Sequence, residues 1–171
     1  MGQPKAILDW GGQPLAAAWC AALRPWSRRV VVVIGSEAPR LRDALATLDL
    51  VENPAWAETG MLGSLKVGLR ALGPGPAWVT PVDVPIPAAR VFAELVRHGG
   101  PAVPCWGGRD GHPVLLDRRL ADAVHAAAGT LRDLLASATR IAVEDPAVVA
   151  DFDDPASWAP WRDRAGGKGS G

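Results

Sequence analysis

The run Arg29 to Gly35, R-V-V-V-V-I-G, constrains the fold more than any other stretch. Its β-branched residues are stiff about χ1 and favour extended backbone. Alternation of apolar and polar residues would mark a strand with one wet face. An unbroken apolar run instead marks a strand covered on both faces, as in parallel sheets. The run is also far too short to cross a bilayer.

Helical periods surround this strand. Pro14 opens a helix that ends near Leu23, after a short extended piece at Ala6–Leu8 and a turn at Gly11-Gly12. Ala38 to Leu48 places Leu41, Ala44, Leu45 and Leu48 on one helical face. Leu50-Val51 reads as a strand, Gly60 to Leu72 as a helix, Ala77 to Asp83 as a strand, and Pro87 to about His98 as a helix. This alternation predicts a three-layer, Rossmann-like α/β fold with a mostly parallel sheet. The rhythm then changes. Pro101–Trp106 and His112–Leu116 read as two strands of a hairpin-like flap around Gly107–Gly111. Helices follow near Arg119–Ala127 and Thr130–Ala136, with closing strands at Ile141–Val143 and Val148–Phe152. Residues 1–161 are expected to form one domain and the glycine-rich residues 162–171 a disordered tail.

Composition narrows the function classes. At 49% hydrophobic residues the chain can bury a core, and a formal net charge of +0 argues against nucleic-acid or membrane-surface binding driven by bulk charge. Cys20 and Cys105 lack metal-ligand spacing and fit a reduced, cytoplasmic setting. No charged segment followed by a long apolar one suggests a signal peptide.

Four stretches carry candidate chemistry, and a fifth can complete one of them. In A-W-V-T-P-V-D-V-P, Asp83 stands where a buried strand stops and the chain turns toward a helix. Ligands of open α/β sheets bind at that carboxyl edge, and a carboxylate there suits Mg²⁺. The plainer reading is a helix cap. In M-G-Q-P-K, Lys5 is one of three lysines against fifteen arginines. It can pair with phosphate as a point charge, or it can be an ordinary solvated lysine. In N-P-A-W-A-E-T-G-M-L-G-S-L-K, Asn53 follows a strand while Gly60 and Ser64 bracket a helix start. Backbone N–H groups and the Ser64 hydroxyl there can receive an anion or a base; otherwise Thr59 caps a surface helix. In G-R-D-G-H-P-V-L-L, backbone constraint fixes His112, which can contact substrate or be a structural histidine. His98 and His125 read as surface residues. Lastly, A-D-F-D-D-P offers Asp151 or Asp153 as a second carboxylate, unless Asp153 or Asp154 caps a helix starting at Pro155.

Each stretch alone is unspecific; their order and spacing are not. The series from Met1 to about Trp158 resembles the nucleotidyltransferases of molybdenum-cofactor maturation. Asn-Pro-x-Trp and Gly-His-Pro look more like the molybdopterin cytidylyltransferase branch than the guanylyltransferase branch. The resemblance implies transfer of a nucleoside monophosphate from a triphosphate (CTP, or GTP in the sister branch) to a phosphorylated acceptor such as molybdopterin, with Mg²⁺ as cofactor and pyrophosphate released. By position it implies metal binding by Asp83 and by Asp153 or Asp151, phosphate contact by Lys5, a nucleotide pocket at Asn53, Gly60 and Ser64, and His112 on the acceptor side. It adds a molybdoenzyme or self-association as partners. Val84 departs from the usual middle residue of the family's Asp-x-Pro, which blurs the acceptor. The alternatives are a non-catalytic nucleotide- or partner-binding remnant, or a transferase acting on a sugar phosphate. The family pattern opens with a strand and a glycine-rich loop ending Arg-Met-Gly-x-x-Lys, and the likeness here begins at that Met. The expectation is a first strand missing from the fold, with Arg29–Ile34 and Ala77–Asp83 left with unpaired edges and triphosphate binding weakened.

Overall fold

The computed structural model describes residues 2–166. Its elements, in order, are β1 (Asp9–Trp10), β2 (Gln13–Pro14), α1 (Leu15–Leu23), β3 (Val32–Ile34), α2 (Ala38–Ala44), β4 (Leu50–Glu52), α3 (Trp56–Leu72) and β5 (Ala77–Val79). There follow α4 (Ala89–His98), β6 (Ala102–Trp106), β7 (Arg109–Asp110), β8 (Val114–Leu116), α5 (Arg118–Ala126), α6 (Leu131–Leu134), β9 (Thr139–Ala142) and α7 (Pro155–Gly166). Among the described residues, no helix is long and apolar enough to cross a membrane.

The chain is layered α/β, as the alternation predicts. Ala77 and Val79 face a cluster with Leu69 of α3 and Leu120, Ala121 and Val124 of α5. Trp78 points the other way, toward Leu15, Trp19 and Leu23 of α1 and Phe92 of α4. Successive residues of a strand face opposite sides, so an apolar run such as A-W-V feeds both helical layers at once.

The sheet is mixed in direction. β3 and β4 are parallel, as are β6 and β9, whereas β8 runs antiparallel to both β5 and β6. β3 and β5 belong to separate hydrogen-bonded ladders. Side chains join them: Val30 and Trp78 share one apolar cluster, and Ile34 and Val82 another.

Several boundaries differ from expectation. The short extended piece is displaced: Lys5–Ile7 is a 3-10 turn, and β1 begins at Asp9. The strand expected to reach Asp83 stops at Val79, because Pro81 has no N–H for a ladder. The helix expected from Gly60 starts earlier, at Trp56, and is broken at Gly60. Val148–Phe152 is not a strand: Pro146–Val149 forms a 3-10 turn. α7 continues through residues 162–166, where a loose tail is expected, and residues 167–171 lie outside the described residues.

The flap is tighter than its sequence suggests. Gly107 and Gly108 both take positive φ, which a two-residue hairpin turn joining Trp106 to Arg109 demands. Beyond it the register along β6 slips by two residues between the Cys105–Asp110 and Ala102–Leu115 pairs. The slack is a bulge at 111–113, which carries His112. A side chain at Gly111 would collide with the Val148 carbonyl, 2.2 Å from where its Cβ would lie, so the bulge fits only with glycine there.

One buried acid ties the layers together. Asp145 is 5% exposed and accepts hydrogen bonds from the Ala88 N–H at 2.9 Å and the Ala147 N–H at 3.1 Å. It therefore satisfies the chain just before α4 and starts its own 3-10 turn. Asp145→Ala leaves two N–H groups without partners, which should lower unfolding stability by about 2–4 kcal/mol. Asp145→Asn, which keeps an acceptor oxygen, should lose less. Urea titration of the three proteins checks the order.

Candidate functional site

The site is built on the turn after β5. Val82 and Val84 anchor it from below, each packed in an apolar cluster, so the intervening Asp83 is turned outward. Two hydrogen bonds fix the turn's backbone. The Trp19 indole N–H donates to the Val84 carbonyl at 3.1 Å, and the Phe152 N–H donates to the Asp83 carbonyl at 2.8 Å. Phe152 is itself fully buried, packed edge-on against Trp158 and near Trp10. The residue after it, Asp153, is thereby delivered beside Asp83.

Lys5 joins the two carboxylates. Its Nζ lies 3.1 Å from Asp83 Oδ2 and 3.3 Å from Asp153 Oδ1. Burial alone would push the Lys5 ammonium down. The hydrogen bond and charge of Asp83, and then those of Asp153, outweigh it and hold Lys5 above its usual value. The root of the side chain is fixed because Ala6 is buried with Ala16, Ile34 and Leu41.

The capping readings fall to other residues. α4 begins at Ala89, and Asp145 supports the N–H of Ala88 just before it, so Asp83 caps nothing there. Asp154 accepts from the Ala156 and Ser157 N–H groups, both at 2.8 Å, and so caps α7. Asp153 is left for the site, and Asp151 is exposed and stands apart from the Lys5 pairs.

His112 lies near this group. Burial pushes its imidazole below the ordinary value, against the opposing pulls of the Val79 carbonyl and the Asp83 carboxylate. That carbonyl faces the ring, yet no well-aligned hydrogen bond reaches the buried Nδ1. The backbone is held firmly, with the His112 N–H donating to the Val148 carbonyl at 2.7 Å.

Asn53, Gly60 and Ser64 form a second knot at the carboxyl end of β3 and β4. The Asn53 N–H donates to the Ile34 carbonyl at 2.8 Å. Its side-chain amide donates to Thr59 Oγ1 and Ser64 Oγ, both at 3.1 Å, and its Oδ1 accepts from the Ala55 N–H at 3.2 Å. The side-chain polar atoms of Asn53 are thus engaged within the knot. Gly60 sits at φ 59°, ψ −155°, where only glycine is comfortable, and so breaks α3 into two pieces. Ser64 is half-buried in the first turn of the second piece and its hydroxyl donates to the Gly60 carbonyl at 3.3 Å. Trp56 draws notice in the sequence only as the last residue of Asn-Pro-x-Trp; it is 44% exposed and lies over Gly35, whose missing side chain leaves room for it. A glycine ending a strand and a tryptophan opening a helix give a signal only once their contact is known.

Among the described residues, no group of three or more His, Cys, Asp or Glu side chains converges as a metal cage would. Asp83 and Asp153 do converge on one positive charge, the Lys5 ammonium, which stands in for a cation between them. Two carboxylate oxygens, with water and phosphate oxygens completing the shell, are what Mg²⁺ or Mn²⁺ accepts. The donor set fits such an ion.

The knot should behave as one unit. Asn53→Ala should cost about 2–3 kcal/mol, since it strips partners from the Ala55 N–H, Thr59 and Ser64 together. Hydrogen exchange should quicken across residues 55–64 and stay unchanged in β6. Uniform quickening across the chain would contradict a local role.

Known proteins share this arrangement of elements. Rv0371c from Mycobacterium tuberculosis H37Rv is 22% identical with a TM-score of 0.75, over 95% of this chain and 90% of that one. The same protein has been solved in complex with manganese, at 20% identity and TM-score 0.75, over 95% of this chain and 93% of that one. The 2-C-methyl-D-erythritol 4-phosphate cytidylyltransferase of Thermus thermophilus is 20% identical with a TM-score of 0.69, over 95% and 94% of the two chains. Molybdopterin-guanine dinucleotide biosynthesis protein A of Archaeoglobus fulgidus is 14% identical with a TM-score of 0.65, over 96% and 89%. These likenesses establish the fold. The search of curated protein sequences found no match. Residues 1–144 match the family described as the MobA-like NTP transferase domain, and the chain belongs to that family.

Proposed function

We propose that this protein transfers a nucleoside monophosphate from a triphosphate to a phosphorylated small molecule, with Mg²⁺ or Mn²⁺ held by Asp83 and Asp153. The observation that carries the reading is the convergence of both carboxylates on Lys5 at the turn after β5. Family membership and the manganese complex of a structural neighbour support it. Among triphosphates we propose CTP, on the Asn-Pro-x-Trp and Gly-His-Pro segments and the cytidylyltransferase among the neighbours. Molybdopterin is the first acceptor to test and sugar phosphates the second. Two free cysteines, one of them buried, fit a cytoplasmic setting.

In this reaction an acceptor phosphate oxygen attacks the α-phosphorus of the triphosphate. The new P–O bond forms as the bond to pyrophosphate breaks. The bound divalent ion supplies charge neutralisation at the phosphates. The chain's own residues do the rest by positioning and electrostatics. Lys5 carries positive charge to the phosphates. The knot of Asn53, Gly60 and Ser64 shapes the nucleoside pocket. His112 lines the acceptor side as a neutral imidazole, since its value is depressed from an ordinary 6.5 or so. A phosphate nucleophile is already ionised near neutrality, so a general base adds little.

A thermal-shift screen of the four nucleoside triphosphates with Mg²⁺ tests the nucleotide. Pyrophosphate release with candidate acceptors tests the reaction. Asp83→Asn should abolish release while melting as the parent does; unchanged turnover would remove Asp83 from the mechanism. His112→Gln should raise the acceptor KM and leave the pH–rate profile above about pH 6.5 as it was. Loss of a titration near neutrality at unchanged KM would make His112 a proton-transfer residue instead.

A further inference from the structure

Lys5 offers more than a phosphate contact, because of where its ammonium lies. It bonds to Asp83 and Asp153 at once, at 3.1 and 3.3 Å. A hard divalent ion takes carboxylate oxygens at roughly 2.0–2.6 Å. An ion bridging these same oxygens would sit in the ammonium's own position. The two cations therefore exclude one another by contact as well as by charge.

We propose that Lys5 is an internal counter-cation that blocks the Asp83–Asp153 pair against free divalent metal and yields it to metal arriving with the triphosphate. This rests on the reading of Asp83 and Asp153 as the metal ligands. Three features make the exchange feasible. The ion pairs are breakable, because Lys5, Asp83 and Asp153 side chains are 27%, 38% and 77% exposed and water screens their attraction. The root of Lys5 is fixed by the burial of Ala6 and by the Leu8 N–H donating to the Lys5 carbonyl at 3.1 Å. The flexible four-carbon stem can then swing its charge while the backbone stays put. Moreover, two carboxylates against one ammonium leave a net negative charge, which free triphosphate alone would meet as repulsion. Metal and triphosphate together answer both needs: the metal takes the carboxylates as the ammonium moves to a phosphate oxygen. The consequence is an order of events. Metal without nucleotide is held weakly, and the site assembles only with the metal–triphosphate complex.

The test is Mn²⁺ binding, read by loss of the free-ion electron paramagnetic resonance signal, with Mn²⁺ alone and then with CTP. Lys5→Met keeps the length of the stem and removes its charge, and Lys5→Gln serves as a second variant if the first melts low. Each should bind Mn²⁺ alone about tenfold more tightly than the parent, as two screened ion pairs amount to about that factor. Lys5→Arg, which keeps the charge, should bind Mn²⁺ like the parent. Adding Asp83→Asn or Asp153→Asn to Lys5→Met should abolish the gain. CTP should tighten Mn²⁺ binding more in the parent than in Lys5→Met. Equal or weaker Mn²⁺ binding by both uncharged variants overturns the counter-cation role, even if CTP still binds and the proposed reaction stands. A gain that survives loss of either carboxylate also overturns it, since the metal then lies elsewhere. A carboxylate-dependent gain with no binding of CTP or of the other three triphosphates keeps the block against free metal but overturns its release to a metal–triphosphate complex, and removes the nucleotidyl-transfer reading.

Discussion

The site depends on one backbone hydrogen bond, from the Phe152 N–H to the Asp83 carbonyl. It joins the turn after β5 to a segment close to the last helix. The bond would be weak in isolation, but it is made where water is excluded. Phe152 is fully buried among Trp10 and Trp158, so an unmade bond would leave a polar N–H in an aromatic cluster. The segment has little freedom to sit elsewhere. Its neighbour Asp153 inherits that fixed position although its own side chain is largely in water. Precision in the exposed pair of acids is thus set by the buried aromatic residue between them.

Much of this is legible in the sequence, and the reasons are specific. The R-V-V-V-V-I-G run favours extended backbone, and Val32–Ile34 is a strand between helical layers, buried at Ile34 and half-buried at Val32 and Val33, so the layered α/β architecture is legible although the strand is shorter and less covered than the run suggests. Asp83, Lys5 and Asp153 stand out through the order and spacing of the motifs that hold them, since each alone also reads as a helix cap or a solvated lysine. Their meeting is not legible. Nothing local says which of Asp151, Asp153 and Asp154 turns toward Lys5; that is decided by Asp154 engaging the N–H groups of α7. Strand direction is equally hidden. Val114–Leu116 has the same apolar pattern whether it lies parallel or antiparallel to Ala77–Val79, and direction is set by the path of the chain.

The buried polar groups are the least legible. Asp145 precedes a proline in an ordinary loop, and the N–H of Ala88 that it satisfies lies far away in sequence. Asn53 reads as a possible ligand contact, yet its amide is engaged by Thr59, Ser64 and Ala55. A sequence shows that a polar residue follows a strand. Whether it faces a ligand or serves the backbone depends on partners brought in by folding.

The aromatic cluster around Phe152 also bears on where a working unit can be cut. The family match covers residues 1–144, whereas Phe152, Asp153 and α7 all lie beyond it. A fragment trimmed to the region of similarity would retain Lys5 and Asp83 but would lose the second acid. It would also lose the Phe152 bond that steadies the first, and the ring that covers Trp10. The end of the family match and the end of the physical unit are therefore different places in this chain. The unit is closed by the aromatic packing of Phe152 and Trp158 against Trp10.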